Sequence, residues 1–152
     1  MARKLLFDTN ALIDFMDGHR PQHADVLHLV VRCIDGVDLE CYAAVSSLKD
    51  VYYVMRKVRG SEEKARNDIR WLIDVFEPMG LLPSHVHEAI DSSEPDFEDG
   101  LVRAMAEQMR ADVIITRDAK ACGDSSVPHL SAQEYLALLG EADNSVDRYK
   151  AL

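Results

Sequence analysis

LLFDTN, residues 5–10, sets three consecutive apolar side chains directly before an acid, a threonine and an amide. Such a run suits a strand covered on both faces, and the polar residues after it end that strand. VIITRD at 113–118 repeats the arrangement, with Thr116 and Asp118 following the apolar run. In an open parallel sheet, ligands bind outside the carboxyl ends of the strands, so Asp8 and Asp118 are expected on one cleft. Two more segments, SSLKD at 46–50 and PDFED at 95–99, bring Asp50, Asp96 and Asp99 into reach. Carboxylates crowded together repel, and a hard divalent cation such as Mg²⁺ or Mn²⁺, which prefers oxygen ligands, relieves that repulsion.

The 152 residues fit one domain, large enough to bury a core without disulfides or structural metals. A hydrophobic content of 47% with 29% charged residues excludes disordered and collagen-like classes. No apolar run approaches the length of a membrane span, and Leu5 to Phe7 is too short for a signal-peptide core. Cys33, Cys41 and Cys122 are odd in number and lack CxxC spacing, which argues against a disulfide framework or zinc knuckle and points to a reducing cytoplasm. The histidine pairs His19/His23 and His85/His87 lack a third metal ligand at useful spacing and read as surface or capping residues.

A net charge of −10 disfavours nonspecific binding to a polyanion. Its distribution is less hostile. Between Lys49 and Arg70, seven basic residues stand against four acids, either a solvated helical face or a phosphate-binding strip.

Strands are expected over Lys4–Phe7, Leu39–Val45, Met79–Leu82, Val113–Thr116 and Val127–Leu130. Helices are expected between them: one through Leu12, Ile13 and Phe15 to Asp17, Gln22 to Ile34, a segment capped by Ser46 or Ser47 and stopped at Gly60, one capped by Ser61 and running through Phe76, Ser84 to Ile90, Asp96 to Met109, and one opened by a Ser131–Glu134 capping box. The alternation predicts an α/β fold, a three-layer α/β/α sandwich around a central parallel sheet of four to five strands. One domain is expected over residues 1–139, with a polar tail, or a segment ordered by oligomerisation, over 140–152.

Each acid also has a plain structural role open to it. Asp8 or Asn10 can cap the first helix, Asp96 can cap the sixth, and Asp118 can be a turn residue. What favours a shared site is that separate segments end in acids on one predicted rim. The chemistry suited to it is phosphodiester hydrolysis by metal-activated water, with no side-chain nucleophile. No GxSxG elbow, Walker A loop or GxGxxG is present. Asn10 and Thr116 are suited to orienting a carboxylate or a bound water.

Together, DTN at 8–10, the helix carrying Asp50, DFEDGL at 96–101, IITRD at 114–118 and the closing LSAQEYL at 130–136 resemble the PIN domain, the nuclease fold of VapC toxins. The resemblance covers nearly all of residues 3–139. It implies that Asp8, Asp99 and Asp118 hold Mg²⁺ or Mn²⁺, that Asp50 takes the place of the middle acid, and that Asn10, Asp96 and Thr116 support them. That middle acid is commonly Glu, so Asp50 is shorter by a methylene. The resemblance further implies RNA as substrate, a homodimer, and a small antitoxin as partner.

Two other functions stand beside a metal-dependent endoribonuclease. One is a catalytically weak PIN domain that binds RNA or a protein, suggested by the acidic pI and the shortened middle acid. The other is a phosphatase of the haloacid-dehalogenase type, which LLFDTN resembles superficially. That chemistry needs an acid two residues after the nucleophile, where this chain has Asn10.

Overall fold

The apolar run of LLFDTN forms β1 (Arg3–Phe7), the central strand of a five-stranded sheet ordered β3-β2-β1-β4-β5. The other strands are β2 (Leu39–Ala44), β3 (Glu77–Met79), β4 (Val113–Ile115) and β5 (His129–Leu130), and every pairing is parallel. This computed structural model describes residues 1–118, 120–123 and 125–140. Most of the tail expected from residue 140 onward lies outside them.

Among the described residues, seven helices accompany the sheet: α1 (Thr9–Met16), α2 (His23–Asp35), α3 (Val45–Arg59), α4 (Glu62–Val75), α5 (Pro83–Asp91), α6 (Phe97–Gln108) and α7 (Ala132–Leu138). Side chains alternate across a strand, so Leu5 and Phe7 enter one core while Leu6 enters the other. The first core gathers α1, α2, α3, α4 and α7; the second is closed by Val102, Met105 and Ala106 of α6. Burial on both faces explains why LLF is uniformly apolar. Phe76 packs edge-on against Phe7 at 5.1 Å and Phe15 at 5.4 Å, tying α1 and the end of α4 to the central strand. The expected three-layer α/β/α sandwich is the fold observed. No helix among the described residues is long and apolar enough to cross a membrane.

The structure corrects the sequence reading at three elements. The third strand is Glu77–Met79 rather than Met79–Leu82, with Tyr42 opposite Glu77 and Ala44 opposite Met79. Pro78 is tolerated there because β3 is an edge strand, while Pro83 starts α5 and leaves Leu82 as its cap. Neither Ser46 nor Ser47 caps α3; the helix follows Ala44 directly, and the buried Ser47 hydroxyl meets Thr9 Oγ1 at 2.8 Å. The last strand is shorter than expected, because pairing with β4 extends only over His129 and Leu130.

Caps at Ser61 and Ser131 form as expected, the latter with Glu134 in a reciprocal box of two 3.1 Å bonds. Two of the histidines serve structure: His23 Nδ1 meets the Asp14 carbonyl at 2.8 Å, and buried His85 Nδ1 accepts the Leu82 N–H at 3.0 Å.

Candidate functional site

The strand order reverses direction between β1 and β4, the place where an open α/β sheet forms a crevice beyond its strand ends. Asp8 follows β1 at this point, and its backbone N–H donates to Ile115 O at 3.0 Å across the gap. Thr116 and Asp118 follow β4. The fourth contributor comes from behind the sheet, where α6 starts with Asp96 as its cap and Asp99 in its first turn.

Local bonding fixes each acid. Asp8 caps α1, its Oδ1 accepting the Ala11 N–H at 2.8 Å. Its carboxylate also accepts the hydroxyl of buried Thr116. The same Thr116 Oγ1 accepts the Asp118 N–H at 3.1 Å, so one hydroxyl joins two of the predicted metal-holding residues. Asp118 Oδ1 accepts the Lys120 N–H at 2.9 Å, closing an Asx turn. Asp96 Oδ1 accepts the Asp99 N–H at 2.8 Å, which leaves the Asp99 carboxylate for the cleft. The structural roles open to Asp8, Asp96 and Asp118 are thus filled at the rim itself, and capping and cleft-lining coexist.

Electrostatics records the convergence. Burial pushes the Asp8 carboxyl up to about 6; the charges of Asp14 and Glu98 add to the rise, while Thr116 and the Ala11 N–H oppose it. Asp99 is also pushed up to about 6, first by burial and then by the negative charges of Asp96, Asp118, Asp8 and Glu94. Asp8, Asp96, Asp99 and Asp118 therefore occupy one electrostatic neighbourhood despite a separation of 110 positions between the first and the last.

Asp50 is different. It is half-buried on α3, one turn beyond Ser47 on the same face, and its charge is not among those weighing most on Asp8 or Asp99. Asn10 is exposed in the first turn of α1. Two acids were not anticipated. Glu98 accepts the Thr9 hydroxyl and acts on Asp8, and Glu94 acts on Asp99. The acids alternating through EPDFED, residues 94–99, carried a signal for Glu98. Glu94 opens the same run, but nothing in the sequence marked its burial, because its partners lie 9 and 28 residues away.

Among the described residues, no three His, Cys, Asp or Glu side chains are grouped closely enough to count as a formed metal-binding set. The acids nonetheless suit a hard cation. All their donors are oxygens, and Asp99 carries repulsion from several carboxylates that a positive charge would cancel. Three of the seven basic residues from Lys49 to Arg70 are held in ion pairs: Arg66 with Glu62 at 2.9 Å, Arg56 with Glu62 at 3.5 Å, and Arg59 with Asp68 at 2.9 Å.

Known structures share this architecture. VapC20 of Mycobacterium tuberculosis, described as a sarcin-ricin loop cleaving toxin, superposes with a TM-score of 0.62 at 12% identity, over 79% of this chain and 94% of that one. A protein of Pyrobaculum aerophilum gives 0.63 at 15% identity, covering 92% of this chain and 98% of its own. A toxin-antitoxin complex from Klebsiella pneumoniae gives 0.60 at 19%, covering 84% and 97%. At these identities the likeness establishes the fold alone. No curated protein matches the sequence at a significant level. A family model described as PIN domain matches residues 4–120, which contain all the acids of the cleft, and the chain accordingly belongs to the PIN domain family.

Proposed function

We propose that this PIN domain is a metal-dependent endoribonuclease of the VapC toxin type. What supports the reading is placement: Asp8 follows β1 and Asp118 follows β4 at the switch point, and Asp99 lies in the first turn of α6. Asp8, Asp99 and Asp118 would hold Mg²⁺ or Mn²⁺ through carboxylate oxygens. Such a cation, when bound, makes hydroxide available from water near neutral pH and offsets charge developing on the phosphate under attack.

The chain's own residues do the rest. Thr116 aims the Asp8 carboxylate and fixes the Asp118 backbone with one hydroxyl. Asp96 sets the first turn of α6 and thereby the direction of Asp99. Asp50 acts on the cleft through water, in keeping with its shorter side chain, and Asn10 orients substrate or solvent at the rim. The expected partners are RNA as substrate, a second copy of the chain, and a small antitoxin. The likeness to a toxin-antitoxin complex supports the last of these. A reducing cytoplasm suits the three free, buried cysteines.

The test is direct. Purified protein should cut RNA with Mg²⁺ or Mn²⁺, stop cutting with EDTA, and lose most of its activity with Asp8→Asn. Cleavage by Asp8→Asn at close to the wild-type rate contradicts the mechanism. The binding-only alternative draws on the acidic net charge and on Asp50, shorter by a methylene than the glutamate common at that position. It predicts RNA retention insensitive to Mg²⁺ and no turnover.

A further inference from the structure

We infer that two buried carboxylates outside the cleft, Asp14 and Glu94, are positioning residues that clamp the segment bearing Asp118 from both sides and so set its distance from Asp8 and Asp99. The inference rests on the nuclease reading, because it concerns how that site keeps its shape.

On the side before Asp118, Asp14 of α1 is buried and pairs with Arg20 Nε at 2.7 Å and Arg117 Nε at 3.5 Å. Arg117 stands between Thr116 and Asp118, and its Nη1 also donates to Gln22 Oε1 at 3.2 Å. The strand end is thus tied to α1, the helix that Asp8 caps. A buried carboxylate is stable only when paired; Arg20 is the closer partner, and Arg117, the residue next to Asp118, takes the other oxygen.

On the side after Asp118, Glu94 has a side chain only 2% exposed. Its Oε2 accepts the Cys122 N–H at 2.7 Å, and its Oε1 meets Arg103 Nη1 of α6 at 3.3 Å. Arg103 also holds Glu107 at 3.2 Å, and Glu107 accepts the Ser126 N–H and the Ser125 hydroxyl, each at 3.2 Å. The segment after Asp118 is therefore fastened to the helix that carries Asp99. Cys122 adopts φ 59°, a left-handed conformation unfavourable for a residue with a side chain, so this turn needs an outside hold. The Ala121 N–H donates to the Asp118 carbonyl at 3.2 Å, which carries the hold back to Asp118.

Asp14 grips the chain beside Asp118, and Glu94 grips it four residues on, at Cys122. Their loss should loosen the segment that carries Asp118 while removing none of Asp8, Asp99 and Asp118. Losing the partner that orients a metal-binding group typically costs 10–100-fold in metal affinity or activity.

The experiment compares wild type, Glu94→Ala, Glu94→Gln and Asp14→Asn in the full chain. It measures Mn²⁺ affinity by calorimetry, kcat and KM on RNA, and amide hydrogen exchange over residues 117–126. Glu94→Ala should weaken Mn²⁺ binding roughly 10–100-fold, lower kcat with KM little changed, and speed exchange over that segment. Glu94→Gln keeps an oxygen for the Cys122 N–H and should recover much of the loss. Asp14→Asn should speed exchange at 117–118 more than at 122. If Glu94→Ala and Asp14→Asn melt earlier yet keep wild-type Mn²⁺ affinity, kcat and exchange, the clamp is overturned while the nuclease reading stands. If wild type neither binds Mn²⁺ nor cuts RNA, both fall.

Discussion

Asp8 carries two duties that a substitution can separate. It caps α1 and it contributes a buried charge to the cleft. Asparagine caps as well as aspartate, so Asp8→Asn should fold normally yet lose RNA cleavage by roughly 10²–10³-fold, the scale of removing one preorganised electrostatic group. Asp8→Ala should in addition lose about 0.5–2 kcal/mol of stability with the cap, read by urea titration. Asp50→Asn should cost distinctly less activity than Asp8→Asn, because Asp50 is shorter by a methylene than the usual glutamate and acts on the cleft through water. Equal losses would show that Asp50 is a direct participant. Asp8, Asp99 and Asp118 were legible from sequence because each adjoins a pattern with its own signature, an apolar strand end or a helix start. Glu94 was not, because a buried acid betrays itself only through partners, and Arg103 and Cys122 are its neighbours through tertiary packing alone.

At the scale of elements, the site depends on how closely α6 approaches α5. Gly100, the residue after Asp99, faces α5 so tightly that an added Cβ would meet Ser92 Oγ at 2.9 Å and the Ala89 Cα at 3.0 Å. Helix backbone cannot yield as a flexible side chain does. Gly100→Ala should therefore destabilise by about 1–2 kcal/mol despite alanine's better helix propensity, and should reduce cleavage by displacing the first turn of α6. Thermal unfolding and kinetics on one preparation check both effects. The elements misread from sequence share a cause. Single-residue propensity placed a strand over the apolar Met79–Leu82 and a cap at Ser46 or Ser47, whereas the register with β2 and the Thr9–Ser47 contact decided the outcome. The central strand was legible because burial on both faces leaves little freedom in its composition. A three-residue edge strand containing Pro78 carries no such imprint.

For the whole molecule, the crowded acids predict how stability follows pH. Asp8 and Asp99 both have folded-state values raised from 3.8 to about 6. Between those limits the folded chain binds more protons than the unfolded one, so these two groups favour folding at about pH 4 and lose that contribution as pH rises through 6. Asp17, Asp38 and Glu107 are held below their usual range and act oppositely, losing their contribution as pH falls through their lowered values. With EDTA present, the melting temperature should rise as pH falls from 7 toward 5, before the second set begins to protonate. Mg²⁺ at pH 7 should raise it too, and Asp8→Asn should flatten the EDTA profile. A profile unaffected by Mg²⁺ would mean that the cleft's negative charge has no cation to meet.

Asp8, Asp99 and Asp118, remote in sequence, are proposed to grip Mg²⁺ or Mn²⁺ jointly. An anomalous difference map from Mn²⁺-soaked crystals tests this most directly. A peak is expected between these three carboxylates, at about 2.0–2.3 Å from their oxygens if Mn²⁺ bonds like Mg²⁺ or slightly longer. Mn²⁺ bound elsewhere on the chain, or no peak with the three carboxylates turned to separate surfaces, would contradict it.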